Sequence, residues 1–192
     1  MTPRASLLDL IRTAPDVEAL LSSFGFDVGR KPSGEGERLA SGSPLEAVAG
    51  EFSGGTFFLC PEEDGRRAVV FANSEGEGGL NADDLASALE IVIGLEWQDC
   101  LRFSGGGDLE VMQDTARHLE RYPTGARPGV AEDRARAAAA LSLEVVPVPD
   151  LVVRLHDAVR RTEPHYVVIA DDGQACDPLF GEHSEPRLGG WS

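Results

Sequence analysis

The stretch between residues 54 and 101 constrains the fold more than any other part of the chain, because its pattern predicts a β-hairpin followed by an apolar helix. Residues 56–60 and 68–72 are rich in aromatic and β-branched side chains, which favour strands. Asp64-Gly65 lies between them, and an Asp-Gly pair is a strong indicator of a tight hairpin turn. With a further strand predicted at residues 46–50, the sequence indicates a small antiparallel sheet.

An apolar helix is predicted directly after this sheet. Asn81 is a suitable N-cap residue, which would place Asp83 and Asp84 in the first turn, where the helix dipole favours acids. Gly94 is placed to end the helix. Periodicity predicts that one helix face packs on one face of the sheet. The residues concerned are Leu85, Leu89, Val92 and Ile93 on the helix, and Phe57, Leu59, Val69 and Phe71 on the sheet.

The rest of the chain is predicted to be mainly helical. Apolar periodicity indicates helices over residues 6–24, where Pro15 interrupts the helix or starts a second one, and over three later segments. These segments are 108–121 and 150–161, each predicted to be capped by its first aspartate, and 130–143. Residues 30–42 and 73–79, which are rich in glycine and polar side chains, are predicted loops.

Near its end the chain is predicted to return to β-structure. Strands at residues 166–170 and 175–180 flank the turn Asp171-Asp172-Gly173 and would form a late hairpin. Strands in one run followed by helices favour an α+β fold with a mostly antiparallel sheet flanked by helices. We expect one domain over residues 1–192, in which residues 104–192 form a helical elaboration with that hairpin.

Acidic residues are concentrated beside the predicted sheet. Between Glu46 and Asp99 there are twelve acids and only two arginines, a local net charge of −10 within a total of −16. Such a charge repels phosphate, so nucleic acids and anionic membranes are disfavoured as partners. The acidity either keeps the chain soluble or forms a surface for a basic protein, and its clustering favours the second interpretation.

Motifs for phosphate or metal chemistry find little support. The sequence has no P-loop, and Ser104-Gly-Gly-Gly107 is followed by Asp108, which would repel an anion, so a capped turn is predicted there. Residues 171–182 resemble a calcium loop but lack glycine at its sixth position. Cys176, Asp177 and His183 match no zinc spacing. We therefore predict no metal and no cofactor.

The cysteines give no indication of thiol catalysis. Cys60, Cys100 and Cys176 form no CxxC pair, none begins a helix, and none has a histidine next to it in sequence. Near the N-terminus, acidic residues interrupt the apolar positions, so no signal peptide is predicted. We expect reduced thiols in a cytoplasmic protein that is not an enzyme.

Within this framework the residues carry a family resemblance. Gly-Thr-Phe-Phe-Leu at 55–59 is followed by Val-Val-Phe at 69–71 and Ser-Glu-Gly at 74–76. Gly79-Leu80, residues 82–85, Leu89-Glu90 and Trp97 follow in order. This order, over residues 45–103, resembles bacterial members of the SUKH superfamily, many of which are immunity proteins. The resemblance implies an α+β fold and a protein that binds and neutralises a toxin domain, often a nuclease.

A basic toxin would meet an acidic surface on this chain. The predicted partner-binding residues are Glu75, Glu77, Asp83, Asp84, Glu96, Trp97 and Asp99. Trp97 is either a core residue that closes the sheet against the helix or an exposed anchor for the partner. Two other functions stay open at this point: a general adaptor of the same fold that binds a cellular protein, and a hydrolase whose site the sequence does not assemble.

Overall fold

A computed structural model describes residues 6–30, 36–121 and 129–180, and it confirms the α+β fold class. The helices in this part of the chain are α1 (Leu7–Thr13), α2 (Pro15–Ser22), α3 (Leu85–Gly94), α4 (Trp97–Arg102), α5 (Leu109–Arg121), α6 (Val130–Leu141) and α7 (Val148–Arg160). The strands are β1 (Arg38–Leu39), β2 (Glu46–Gly50), β3 (Thr56–Leu59), β4 (Val69–Ala72), β5 (Glu77–Ala82), β6 (Val168–Ile169) and β7 (Asp177–Pro178).

The main sheet has five strands in the order β2-β3-β4-β5-β7. Its first four strands are antiparallel neighbours along the chain, as the hairpin pattern predicts, while β7 lies parallel to β5. Phe57 faces Phe71 and Leu59 faces Val69 across β3 and β4. β1 and β6 pair separately as a short antiparallel ladder.

Both faces of the main sheet are buried. Alternate residues of β3 and β4 enter two different hydrophobic clusters, because successive strand side chains point to opposite faces. The larger cluster extends from Leu8 to Leu179 and includes Phe57, Leu59, Val69 and Phe71. The smaller one contains Phe58, Cys60, Val70 and Leu80 on the sheet, with Leu39, Val168 and Ala158 from the elements that cover them.

The predicted packing of helix on sheet is confirmed. Leu89, Val92 and Ile93 are buried in the larger cluster, and Leu85 packs against it while partly exposed. Helix α7 packs beside β5, and two arginines, one in the helix and one directly after it, form ion pairs with the first half of the chain. Arg161 binds Asp83 at 2.8 Å, and Arg154 binds Glu90 at 2.8 Å. The helical elaboration therefore shares its core with the sheet.

The prediction that Asn81 caps α3 is wrong. Residues 77–82 form β5, and Asn81 is the extra residue of a bulge, since Val70 faces Leu80 while Val69 faces Ala82. Asp84 is the actual N-cap, and its side chain accepts a hydrogen bond from the Ser87 amide at 2.8 Å. The predicted loop 73–79 is correspondingly shorter, because pairing with β4 overrides the low strand propensity of its glycines.

Later elements differ from the prediction in two further places. Helix α7 begins at Val148 after Pro147, so Asp150 lies in its first turn and does not cap it. The late turn forms, with a bridge between Ile169 and Ala175, but its two strands extend into different ladders. The predicted loop 30–42 contains β1, and residues 31–35 lie outside the described part. By contrast, Asp108 caps α5 as predicted, accepting from the Val111 amide at 3.1 Å.

No helix among the described residues is long and apolar enough to cross a bilayer.

Candidate partner-binding surface

Two turns at one end of the main sheet form the base of the candidate surface. In the turn between β2 and β3, the buried side chain of Glu51 accepts hydrogen bonds from the amide and the hydroxyl of Ser53. In the turn between β4 and β5, Asn73 Oδ1 accepts from the amides of Glu75 and Glu77, at 3.0 Å and 2.9 Å. In each turn, a polar side chain therefore binds the backbone amides of residues that follow it.

The two turns are tied to one another. The hydroxyl of Ser74 donates to the carbonyl oxygen of Ser53 across 3.3 Å. Gly54 has a φ of +103° and packs closely against Ser74. A Cβ at position 54 would lie 3.3 Å from the Ser74 Cβ, which is a tight contact. Asn73 Nδ2 also donates to Glu77 Oε2 at 2.8 Å, which orients that carboxylate. The acidic side chains of the second turn are thereby held beside the first.

Helix α4 closes the surface from the other side. Trp97 is only 4% exposed, and its ring meets that of Phe71 edge-on with 4.8 Å between centroids. A second ring contact, at 5.9 Å, joins Trp97 to Phe57. The interpretation of Trp97 as a core residue is confirmed, and its burial leaves the acidic residues Glu96 and Asp99 of the same segment at the surface.

Two clefts adjoin along this helix and share Trp97, Gln98 and Asp99 as wall residues. One, of about 410 Å³, lies beside the second turn and is lined by Glu75, Glu77 and Arg102 among others. The other, of about 380 Å³, lies between α4 and the end of α2. Its lining includes Glu96 and also Arg134, an arginine of α6.

Four of the predicted acidic residues thus come together with Trp97 around these clefts, which we call the α4 surface: Glu75, Glu77, Glu96 and Asp99. In the described part of the chain, none of the four forms a salt bridge. Four carboxylates face two guanidinium groups, which leaves the surface with a net charge of −2. Because ion pairs within the described residues do not neutralise these carboxylates, the surface can attract cationic groups.

Asp83 and Asp84 lie apart from this group. They follow the far end of β5, a strand that spans about 16 Å from Glu77 to Ala82. The carboxylate of Asp83 binds Arg161 through both oxygens, at 2.8 Å and 3.1 Å, and that of Asp84 caps α3. Both groups already have partners within the fold.

An exposed aromatic residue that sequence reasoning missed lines one of the two clefts. Phe52, at the tip of the first turn, is 71% exposed, more than Phe103 at 54%. Its ring lies over Gly25, where a Cβ would come within 3.4 Å of the Phe52 Cε1. A large aromatic residue next to Ser-Gly-Gly was the signal that the sequence offered for it.

The thiols lie in environments that disfavour ionisation. Burial raises the pKa of Cys60 to about 11, a rise that Arg67 partly offsets. Burial, followed by the charges of Asp99 and Glu96, raises the pKa of Cys100 to about 12. Burial also raises the pKa of Cys176. These groups are therefore overwhelmingly protonated, and poorly nucleophilic, at neutral pH.

The acidic, histidine and cysteine side chains are also dispersed. Over residues 6–30, 36–121 and 129–180, no three His, Cys, Asp or Glu side chains are grouped to hold an ion. His183, one of the residues weighed from the sequence, lies outside these ranges.

A scan against protein-family models gave no match to this chain, and searches of curated proteins and of solved structures gave none either.

Proposed function

We propose that this chain is a non-catalytic immunity-type protein that binds and neutralises a basic toxin domain, of nuclease type, in the bacterial cytoplasm. The observation that carries the proposal is the α4 surface, where four carboxylates without salt bridges border two adjoining clefts. The resemblance of residues 45–103 to the SUKH superfamily in sequence supports the same assignment. No cofactor takes part in this function.

The proposed partner follows from charge. A nuclease must carry a basic cleft to hold a phosphate backbone, and an acidic protein can occupy that cleft in place of the nucleic acid. Opposite charges also accelerate association, in a way that depends on salt. Asp83 is bound to Arg161, so we expect its charge to contribute less than those of Glu75 and Asp99.

The test is neutralisation and association kinetics with a basic nuclease-type toxin domain, which is to be sought first among the products of neighbouring genes. E75K/D99K should lower the association rate on the order of tenfold at low salt and flatten its salt dependence, because rim charges act mainly on encounter. The matched control is E120K/E163K, which makes the same change in net charge at two other exposed positions. It should lower the rate less.

Two results would contradict the proposal. One is a bound partner that is acidic or whose toxicity persists when the two proteins are expressed together. The other is an association rate for E75K/D99K equal to that of the control, which would remove the α4 surface from the interaction.

A further inference from the structure

We infer that Phe52 is the aromatic anchor of the α4 surface and that its occupant is an arginine-bearing segment of the partner, with a guanidinium group stacked on the Phe52 ring. This inference rests on the proposed function and names the chemistry that the surface recognises. It replaces Trp97, which is buried, as the aromatic contact residue.

Among the residues that the structure describes, none packs over Phe52 to bury its ring, which is 71% exposed. Residues 51–55 form a tight turn in which Glu51 donates its amide to the Gly55 carbonyl at 2.7 Å and the Gly54 amide returns to Glu51 at 3.1 Å. The buried Glu51 side chain holds this turn from within, so the next residue projects outward. Phe52 does not belong to either hydrophobic cluster. An exposed aromatic ring with a fixed backbone loses little entropy on binding, which favours it as an anchor.

The surroundings of the ring complement a guanidinium group. Phe52 lines the same cleft as Glu96 and Asp99, and its neighbour Ser53 lines the cleft that contains Glu75. A cation above an aromatic face is attracted by the ring quadrupole. The planar guanidinium can stack on the ring and still donate to a carboxylate beside it, whereas an ammonium group cannot present a flat face.

One further polar side chain lies beside the ring and is not fully hydrogen-bonded. Glu51 is 1% exposed, and its Oε1 has no hydrogen-bond partner in the described part of the chain. Its Cγ lies 3.5 Å from the position of a Cβ at Gly25, a residue of the cleft wall that also contacts the Phe52 ring. Arg134 also lines this cleft and partly offsets the negative charge of Glu96 and Asp99 there.

The experiment is an NMR titration of the isotope-labelled protein at low salt with three short peptides. One peptide carries two arginines, one carries two lysines, and one carries two citrullines, which have the shape of arginine without its charge. We expect the arginine peptide to give saturable shifts at Ser53, Gln98 and Asp99. The lysine peptide should bind more weakly and the citrulline peptide should not bind.

Variants separate the ring from the charges. F52A should weaken arginine-peptide binding about fivefold, F52Y should retain it, and F52L should bind arginine and lysine peptides alike. F103A is the matched control, since Phe103 is also exposed but lies outside both clefts, and it should leave binding unchanged. Equal binding of the arginine and lysine peptides by the wild-type protein, wild-type affinity in F52A, or shifts elsewhere on the surface would overturn the inference.

These outcomes stay distinct from those for the proposed function. If the toxin is neutralised and F52A neutralises it as well as wild type does, the function stands and the anchor is wrong. If no basic toxin is neutralised but the arginine peptide binds at Phe52, the recognition chemistry stands and the immunity function is wrong.

Discussion

The two faces of the main sheet are buried by very different layers. One face packs on the larger cluster, to which α1, α2, α3, α4, α5, α6 and α7 all contribute buried residues. The other is covered by two-residue strands, β1 and β6, and by the end of α7. The same strands supply both faces, so the difference lies in the layers that cover them. We call the face on the larger cluster the thick side and the face on the smaller cluster the thin side.

Because both faces of the sheet are covered, its strands do not alternate between apolar and polar residues. All four residues of β3 are buried, since side chains of both parities meet a covering layer. Beside β5, a glycine lets the residues that follow α7 approach closely. A Cβ at Gly79 would lie 2.6 Å from Thr162 Oγ1, the atom that accepts a hydrogen bond from the Leu80 amide at 3.0 Å. The end of α7 is therefore held to β5 by a close backbone contact and a hydrogen bond as well as by apolar packing.

The largest expected effect compares one leucine from each side. Leu89 and Leu80 are both fully buried, one in the larger cluster and one in the smaller. Leu89→Ala should lower the free energy of unfolding by roughly 2–5 kcal/mol. Leu80→Ala should fall at the lower end of that range, because the short strands above it can relax into the cavity. Chemical denaturation measures both, and an equal or larger loss for Leu80→Ala would show that the thin layer is just as rigid.

The cysteines allow the same comparison at high pH. Cys100 lies in the larger cluster and Cys60 in the smaller, and burial raises the pKa of each from 9.0, to about 12 and about 11. Because the unfolded thiols ionise first, this contribution to stability is intact below pH 9 and is lost as the pH rises towards those values. Stability should therefore fall above pH 9, and C100A should reduce that fall more than C60A.

Alkylation rates at neutral pH give the matching kinetic measurement. The half-buried Cys176 should react first, and the two buried thiols should react only as the protein unfolds. A single buried cysteine that reacts faster than an unfolded control would revive the enzyme hypothesis.

The smallest expected effects come from two adjacent aspartates. Asp84 caps α3 on the thick side, whereas Asp83 pairs with Arg161, which follows α7, the helix that also helps to cover the thin side. Asp84→Ala should cost about 1 kcal/mol, because it leaves the Ser87 amide without its acceptor. Asp83→Ala should cost roughly 0.2–1 kcal/mol, since both groups of this pair are half exposed.

Thermal unfolding in low and high salt separates the two substitutions, because only the effect of Asp83→Ala should shrink with salt. The reverse order of costs would show that the ion pair, and not the cap, orders this junction.

Local chemistry determined the elements that a short stretch of sequence can specify. The Asp-Gly hairpin, the apolar face of α3 and the Asp108 cap depend on neighbours a few residues away, and each was predictable. Asn81 was misassigned because its local preference for a cap lost to pairing between β4 and β5.

The candidate surface was predictable only in part. The sequence by itself determined that acids are concentrated beside the sheet and that Trp97 is a candidate for either the core or the surface. Only the tertiary structure decided that Glu75 and Asp99 meet, that Asp83 is engaged by Arg161, and that Phe52 stands exposed while Trp97 is buried. The physical reason is that exposure and charge pairing depend on groups that lie far apart in the chain. Asp83 and Arg161 are 78 positions apart, and no periodicity or local propensity brings such residues together.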